Sequence, residues 1–207
     1  MTTDTRSAHR FVLETFAETG HSPSLEEIRR RFGLASVSDA EALVVELERG
    51  GSIHRNAGDA TITHAYPFSN EPTAHRVQLA GGPDVYAMCA IDALGMPYML
   101  KQNAEITSVC EQCAASIAVR IEGQQAVQRS PSDIVVWYAK AGEGCVLATD
   151  LCPKLNFFCS AAHLDAWQAQ HPGNEGRMLN FEQAVEAGRK SFENLMQDGG
   201  ELRLIGP

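Results

Sequence analysis

The sequence predicts an α+β protein: a helical, winged-helix-like N-terminal unit over residues 1–65, then a mainly antiparallel sheet core with flanking helices over 66–207. Two observations carry this. The first fifty residues hold three apolar stripes at helical spacing, each closed by glycine. Beyond about residue 70 the pattern turns to two-residue alternation, and helical spacing returns only near the end.

Taken in order, residues 6–19 place Phe11, Val12 and Phe16 on one helical face and stop at Gly20. Ser24 opens a second helix, because Glu27 stands three residues on and completes a Ser-x-x-Glu capping box; Phe32 and Gly33 close it. A third starts after Ser36 or Ser38, carries Ala40, Leu43, Val44 and Leu47, and ends at Gly50 and Gly51. Residues 53–54 and 61–63, either side of Ala57-Gly58-Asp59, read as a two-strand wing. Residues 66–72, with Pro67 and Pro72, read as a linker. The alternation at 74–79 and 117–121 and the apolar run at 134–138 read as strands, and 156–159 as another. Helices are expected at 160–170, capped by Ser160, and at 181–196.

Three helices and a wing often read DNA. Charge argues against it: residues 1–65 hold 7 Lys/Arg and 10 Asp/Glu, a balance of 7 − 10 = −3, and Arg29, Arg30 and Arg31 form the one basic run. The whole chain carries −9, the wrong sign for a surface that neutralises phosphates, so DNA is not an expected partner. The polar start has no signal-peptide core, and the most apolar stretch, residues 85–100, is too short to span a bilayer and contains Asp92. The expectation is a cytoplasmic protein without membrane association. In that compartment six cysteines read as thiols for metal or catalysis, or as small buried hydrophobes, before they read as disulfides.

The chemistry concentrates in Cys89-Ala90-Ile91-Asp92. Gly95 and Pro97 read as a helix stop, which leaves residues 88–94 as one or two helical turns with Cys89 in the first. On a helix, positions i and i+3 share a face, so the thiol and the carboxyl become neighbours. The helix N-terminus favours a thiolate, while apolar flanks push a carboxyl towards its protonated form. On spacing alone the pair is equally a core cysteine beside an aspartate that serves a helix start. Cys152, before Pro153, and Cys159 bracket an apolar stretch. Cys110-Glu111-Gln112-Cys113 is a lone C-x-x-C, a weak metal signal; His163, four residues after Cys159, could complete a site with it or stand as a surface histidine.

These segments together resemble the organomercurial (alkylmercury) lyases. The residues that carry the likeness are the run from Val85 to Leu94 around Cys89-Ala90-Ile91-Asp92, then Ser108-Val109-Cys110, then Cys152 five residues before Phe157-Phe158. The resemblance implies Cys89 and Cys152 as catalytic cysteines, Asp92 as the catalytic carboxyl and Cys110 as a structural cysteine. It also implies Hg(II) held by Cys89 and Cys152, with Asp92 as a further ligand candidate, and no required cofactor. An organomercurial would be the substrate, with external thiols or a mercuric reductase taking the metal afterwards. Mercury is a soft cation that prefers thiolates, which fits two sulfurs and a proton source in an apolar setting. Cys113, Cys145 and Cys159 fall outside the pattern. Two other readings stand beside it: a metal carrier or zinc protein built on Cys110, Cys113, Cys152 and Cys159, and a metal-responsive winged-helix regulator.

Overall fold

In a computed structural model, which describes residues 4–56, 58–142 and 145–197, the three N-terminal helices are α1 (Thr5–Thr19), α2 (Leu25–Phe32) and α3 (Val37–Arg49). Their ends follow from local chemistry. Asp4 caps α1, while Ser24 with Glu27 and Ser36 with Asp39 form reciprocal capping boxes for α2 and α3. Gly20 and Gly33 end the first two in the left-handed conformation that glycine adopts without steric cost. Phe16, Ile28, Val44 and Leu47 are buried in the core, where Phe16 stacks on Phe68.

The wing is β1 (Ile53–Arg55) and β2 (Ile62–Ala65), and it does not end the sheet. The next strands are β3 (Phe68–Ser69), β4 (His75–Leu79), β5 (Asp84–Ala87), β6 (Ala104–Val109), β7 (Ser116–Glu122) and β8 (Gln125–Ser130). Together these form one antiparallel sheet in the order β1-β2-β3-β5-β4-β6-β7-β8. The segment expected as a linker is therefore partly strand: Phe68 pairs with Ala65 on one side and Ala87 on the other, and Tyr66 and Phe68 are buried. A second sheet of three strands places β9 (Val135–Ala139) between β10 (Phe157–Phe158) and β11 (Gly176–Asn180). Helix α5 (Ala161–Gln170) packs on β9 and β10, and α6 (Phe181–Phe192) on β9 and β11. Ser160 caps α5 as expected. Asn180 caps α6, which is shorter than the sequence suggests.

The element that organises the core is α4 (Ala90–Leu100), and here the sequence misleads. Gly95 and Pro97 lie inside this helix rather than ending it. Every residue from Ala90 to Met99 is buried, with α6 on one side and β4, β5 and β6 on the other. Gly95 is there for space: a Cβ on it would stand 2.8 Å from the Gly188 carbonyl and closer still to the Phe192 ring. Gly188 on α6 answers it, since a Cβ there would meet the Ile91 carbonyl at 2.8 Å and the Gly95 nitrogen at 2.9 Å. The two helices touch backbone to backbone through paired glycines.

This contact makes a direct test. Overpacking a filled interior costs about 1–3 kcal/mol, and the clash here involves main chain that cannot rotate away. Gly95→Ala is expected to lose about 2–3 kcal/mol in urea unfolding. Gly173→Ala, where nothing lies within 4 Å of the new Cβ, should change stability by less than about 0.5 kcal/mol. Equal stability of the two variants would show that the helices are not in contact at Gly95.

Candidate functional site

Cys89, Asp92 and Cys152 meet at the N-terminus of α4. Cys89 is the residue that caps the helix, one position before the first turn in which the sequence places it. Its backbone is extended, and its Sγ accepts the Asp92 backbone N–H at 3.4 Å. A helix start buried in a core needs acceptors for its free N–H groups, and here a sulfur supplies one. Asp92, one turn in, is thereby turned towards the same space.

Cys152 arrives from the other sheet. After β9 the described chain resumes at Cys145, forms a π-helical turn (Leu147–Leu151) and a 3-10 turn (Cys152–Lys154), then enters β10. Two backbone bonds hold this segment: Ala90 N–H to the Leu155 carbonyl (2.9 Å) and Trp137 N–H to the Asn156 carbonyl (3.1 Å). The first is another free N–H of α4. The start of α4 therefore fixes the segment, just after the 3-10 turn, that follows the second sulfur. The Cys152 thiol donates to Asp92 Oδ2 at 3.7 Å, and the three donor atoms all lie within 4.8 Å of one another.

All three side chains are almost sealed from solvent, at 0% exposed for Cys89, 3% for Asp92 and 5% for Cys152. That burial sets their protonation. It pushes the Asp92 carboxyl up to about 7 against the pull of its hydrogen bonds to the two sulfurs. Burial likewise holds the Cys89 thiol well above its usual range. At Cys152 the bond to Cys89 pulls the thiol down, but burial and the Asp92 carboxyl outweigh it and leave a net rise. The resting site is thus two thiols around a carboxyl poised near neutrality.

Two tyrosines adjoin the site that the sequence does not flag. The Tyr66 hydroxyl is buried without a hydrogen-bond partner among the described residues; burial raises its pKa, with Cys152, Asp92 and Cys89 adding to the rise. Tyr138, on β9, is raised to about 12 by burial, with Cys89 next. Tyr66 falls in the stretch read as a linker and Tyr138 in a core strand, so neither position carried a local signal. The surface hollows of about 570 Å³ beside α6 and about 340 Å³ beside β4 are lined by none of the three site residues.

The remaining cysteines divide differently from the metal-carrier set expected in the sequence. Cys110, Cys113 and Cys159 gather with His163, while Cys152 belongs to the Asp92 trio. Cys145 is half-buried and joins neither group.

Residues 68–193 match the family model of the alkylmercury lyases, and residues 2–61 that of the LexA DNA-binding domain. Curated relatives include the alkylmercury lyase of Staphylococcus epidermidis, 32% identical over 124 residues, covering 60% of this chain and 56% of that one. That of Bacillus cereus is 32% identical over 118 residues, covering 57% and 53%, and that of Streptomyces lividans 26% over 129, covering 62% and 59%. The matched stretch thus spans a little over half the length of these relatives. In three dimensions the fold resembles the crystal structure of the mercury-bound form of MerB2, with a TM-score of 0.75 over 91% of both chains at 23% identity. The family model covers more than half of the sequence, both sulfurs and the carboxyl included: the chain belongs to the alkylmercury lyase family.

Proposed function

We propose that this protein cleaves the carbon–mercury bond of organomercurials by protonolysis, with Cys89 and Cys152 as thiolate ligands and Asp92 as the acid that protonates carbon. The observation that carries the reading is the buried trio itself: two thiols and one carboxyl with their donor atoms within 4.8 Å, and no other charged side chain in the set. Membership of the alkylmercury lyase family supports the substrate class.

The chemistry follows from the residues. A thiol held above its normal pKa is a poor nucleophile, but a soft cation drives it to ionise on binding. One thiol gives its proton to the Asp92 carboxylate and takes R–Hg⁺, displacing the anion X⁻. The second thiol ionises, adds electron density to mercury and raises the basicity of the attached carbon. Asp92 then delivers its proton to that carbon. The carbon–mercury electron pair becomes the new C–H bond. Of the two thiol protons one ends in the hydrocarbon and the other leaves with X⁻, so R–Hg–X and two thiols become R–H, HX and a bis-thiolate Hg(II). A carboxyl near 7 suits this work because it can both accept and release a proton at neutral pH. Hg(II) is then product rather than cofactor, passing to external thiols or to a mercuric reductase.

A regulatory reading draws on the LexA-like match, but the exposed face of α3 carries Asp39, Glu41 and Glu46 against Arg49. Arg29 and Arg30 on α2 are both paired with Glu26. That surface repels phosphate.

Three outcomes test the proposal. Cys89→Ser and Cys152→Ser should each reduce hydrocarbon release from phenylmercury in excess thiol by at least about a hundredfold, since each loses a soft ligand. Near-normal turnover in either would remove that sulfur from the mechanism. Asp92→Asn should still retain the organomercurial but release no hydrocarbon in a single turnover, because an amide delivers no proton at neutral pH. Full release from a folded Asp92→Asn variant would sink the assignment. The third is a pH test without substrate. The folded carboxyl, near 7, holds its proton more tightly than in the unfolded chain, where it lies near 3.8. The resulting stabilisation is complete below about pH 4 and lost as pH rises to about 7. Relative to Asp92→Asn, the parent should lose up to about 4 kcal/mol across that window; parallel pH profiles would mean that folding does not raise the Asp92 carboxyl.

A further inference from the structure

The cysteines outside the trio build a second centre. The turn between β6 and β7 is a tight knuckle, with Cys110 N–H bonded to the Ala115 carbonyl and Ala114 N–H to the Cys110 carbonyl, each at 2.8 Å. Ala114 takes a left-handed φ of 57° to close it. The knuckle turns the N–H groups of Gln112 and Cys113 onto Cys110 Sγ, and Cys159 N–H adds a third. Glu111 N–H bonds the Phe157 carbonyl at 3.0 Å, which ties the knuckle to β10 and brings it beside the residues that follow that strand. These are Cys159, immediately before the α5 cap, and His163 in the first turn of α5, whose N–H is held by Ser160 Oγ at 3.3 Å.

The four donor atoms lie within 4.8 Å of one another. Cys113 Sγ stands 3.8 Å from Cys159 Sγ, His163 Nδ1 3.8 Å from Cys110 Sγ and 3.0 Å from Cys159 Sγ. No pair is a disulfide. A tetrahedral zinc ion with bonds of about 2.3 Å to sulfur and 2.0 Å to nitrogen separates its ligands by roughly 3.4–3.8 Å, which the observed distances bracket. Three sulfurs and an imidazole with no carboxylate suit neither calcium nor magnesium. Four protein donors leave no open position, the arrangement of a structural rather than a catalytic zinc. The spacing, Cys-x-x-Cys on a knuckle and Cys-x-x-x-His entering a helix, is of the kind zinc modules use.

The geometry points to a structural Zn(II) site formed by Cys110, Cys113, Cys159 and His163, which pins the β6–β7 knuckle to the start of α5. Its mechanical consequence reaches the trio. Cys152 and Cys159 flank β10, so a metal fixing Cys159 and the knuckle anchors the far end of the segment whose near end carries Cys152. The site is independent of the lyase reading and stands or falls without it.

Metal content of the full chain decides. After incubation with zinc under reducing conditions and desalting, elemental mass spectrometry should find one zinc per chain, and equally one in the Cys89→Ser/Cys152→Ser double variant. Cys113→Ser/His163→Ala should retain none and melt at a lower temperature than the zinc-loaded parent. Co(II) titration of the metal-free parent covers the case in which that variant does not fold: the visible absorption of tetrahedral Co(II) with a thiolate charge-transfer band should saturate at one equivalent. A parent that retains no zinc, a full equivalent in a folded Cys113→Ser/His163→Ala variant, loss of zinc in the Cys89→Ser/Cys152→Ser variant, or octahedral Co(II) absorption would each overturn the site.

Discussion

The constraint on which the rest depends is that α4 begins inside the protein. A helix start leaves N–H groups without partners, and in a core none can be left to water. Here the first is taken by the Leu155 carbonyl and another by the Cys89 sulfur. Both solutions have chemical consequences. The sulfur acceptor places a thiol and a carboxyl on one turn, and the carbonyl acceptor draws in the segment that brings Cys152. Helix capping and site assembly are one set of bonds.

The same burial governs the charges. Three ionisable groups in a dry space cannot all be charged, and Asp92, Cys89 and Cys152 are each raised from their ordinary values. The resting pocket therefore stays close to neutral. A soft cation is the partner that changes this, since it supplies the positive charge that allows sulfurs to ionise where water would not reach them. Under the proposed function, selectivity for mercury need not come from a shaped cavity. It can come from a pocket that is costly to ionise for anything less thiophilic.

How much of this was legible in the sequence depends on whether the controlling interaction is local. Capped helices were readable because Ser24 with Glu27 and Ser160 act within one turn. The Cys89–Asp92 neighbourhood was readable for the same reason. Gly95 and Pro97 misled because the partner that explains them, Gly188, is nearly a hundred residues away, and a glycine that allows close approach looks in sequence like one that ends a helix. The stretch around Tyr66 and Pro67 looked like a linker because prolines mark turns, while its burial comes from strands on both sides. β8 was missed because its residues are largely exposed and its pattern polar. The grouping of the thiols was legible only in part: the family resemblance joined Cys89 with Cys152, but spacing could not show that Cys113 and Cys159 meet through the β6–β7 turn and β10, nor separate Cys152 from them.

The two sulfur groups differ in the respect that matters for soft metals. Cys89, Asp92 and Cys152 offer two sulfurs and a proton in a sealed space; buried Cys110, exposed Cys113 and half-buried Cys159 and His163 offer four donors in a set that reaches the surface. Under the proposed function, the exposed Cys113 would compete for mercury, because affinity for sulfur alone does not distinguish the thiols. Occupancy of the outer set by a metal content with four ligands would remove that competition. The thiols left to compete for an organomercurial would then be the buried pair, beside the carboxyl that can finish the reaction, and half-buried Cys145.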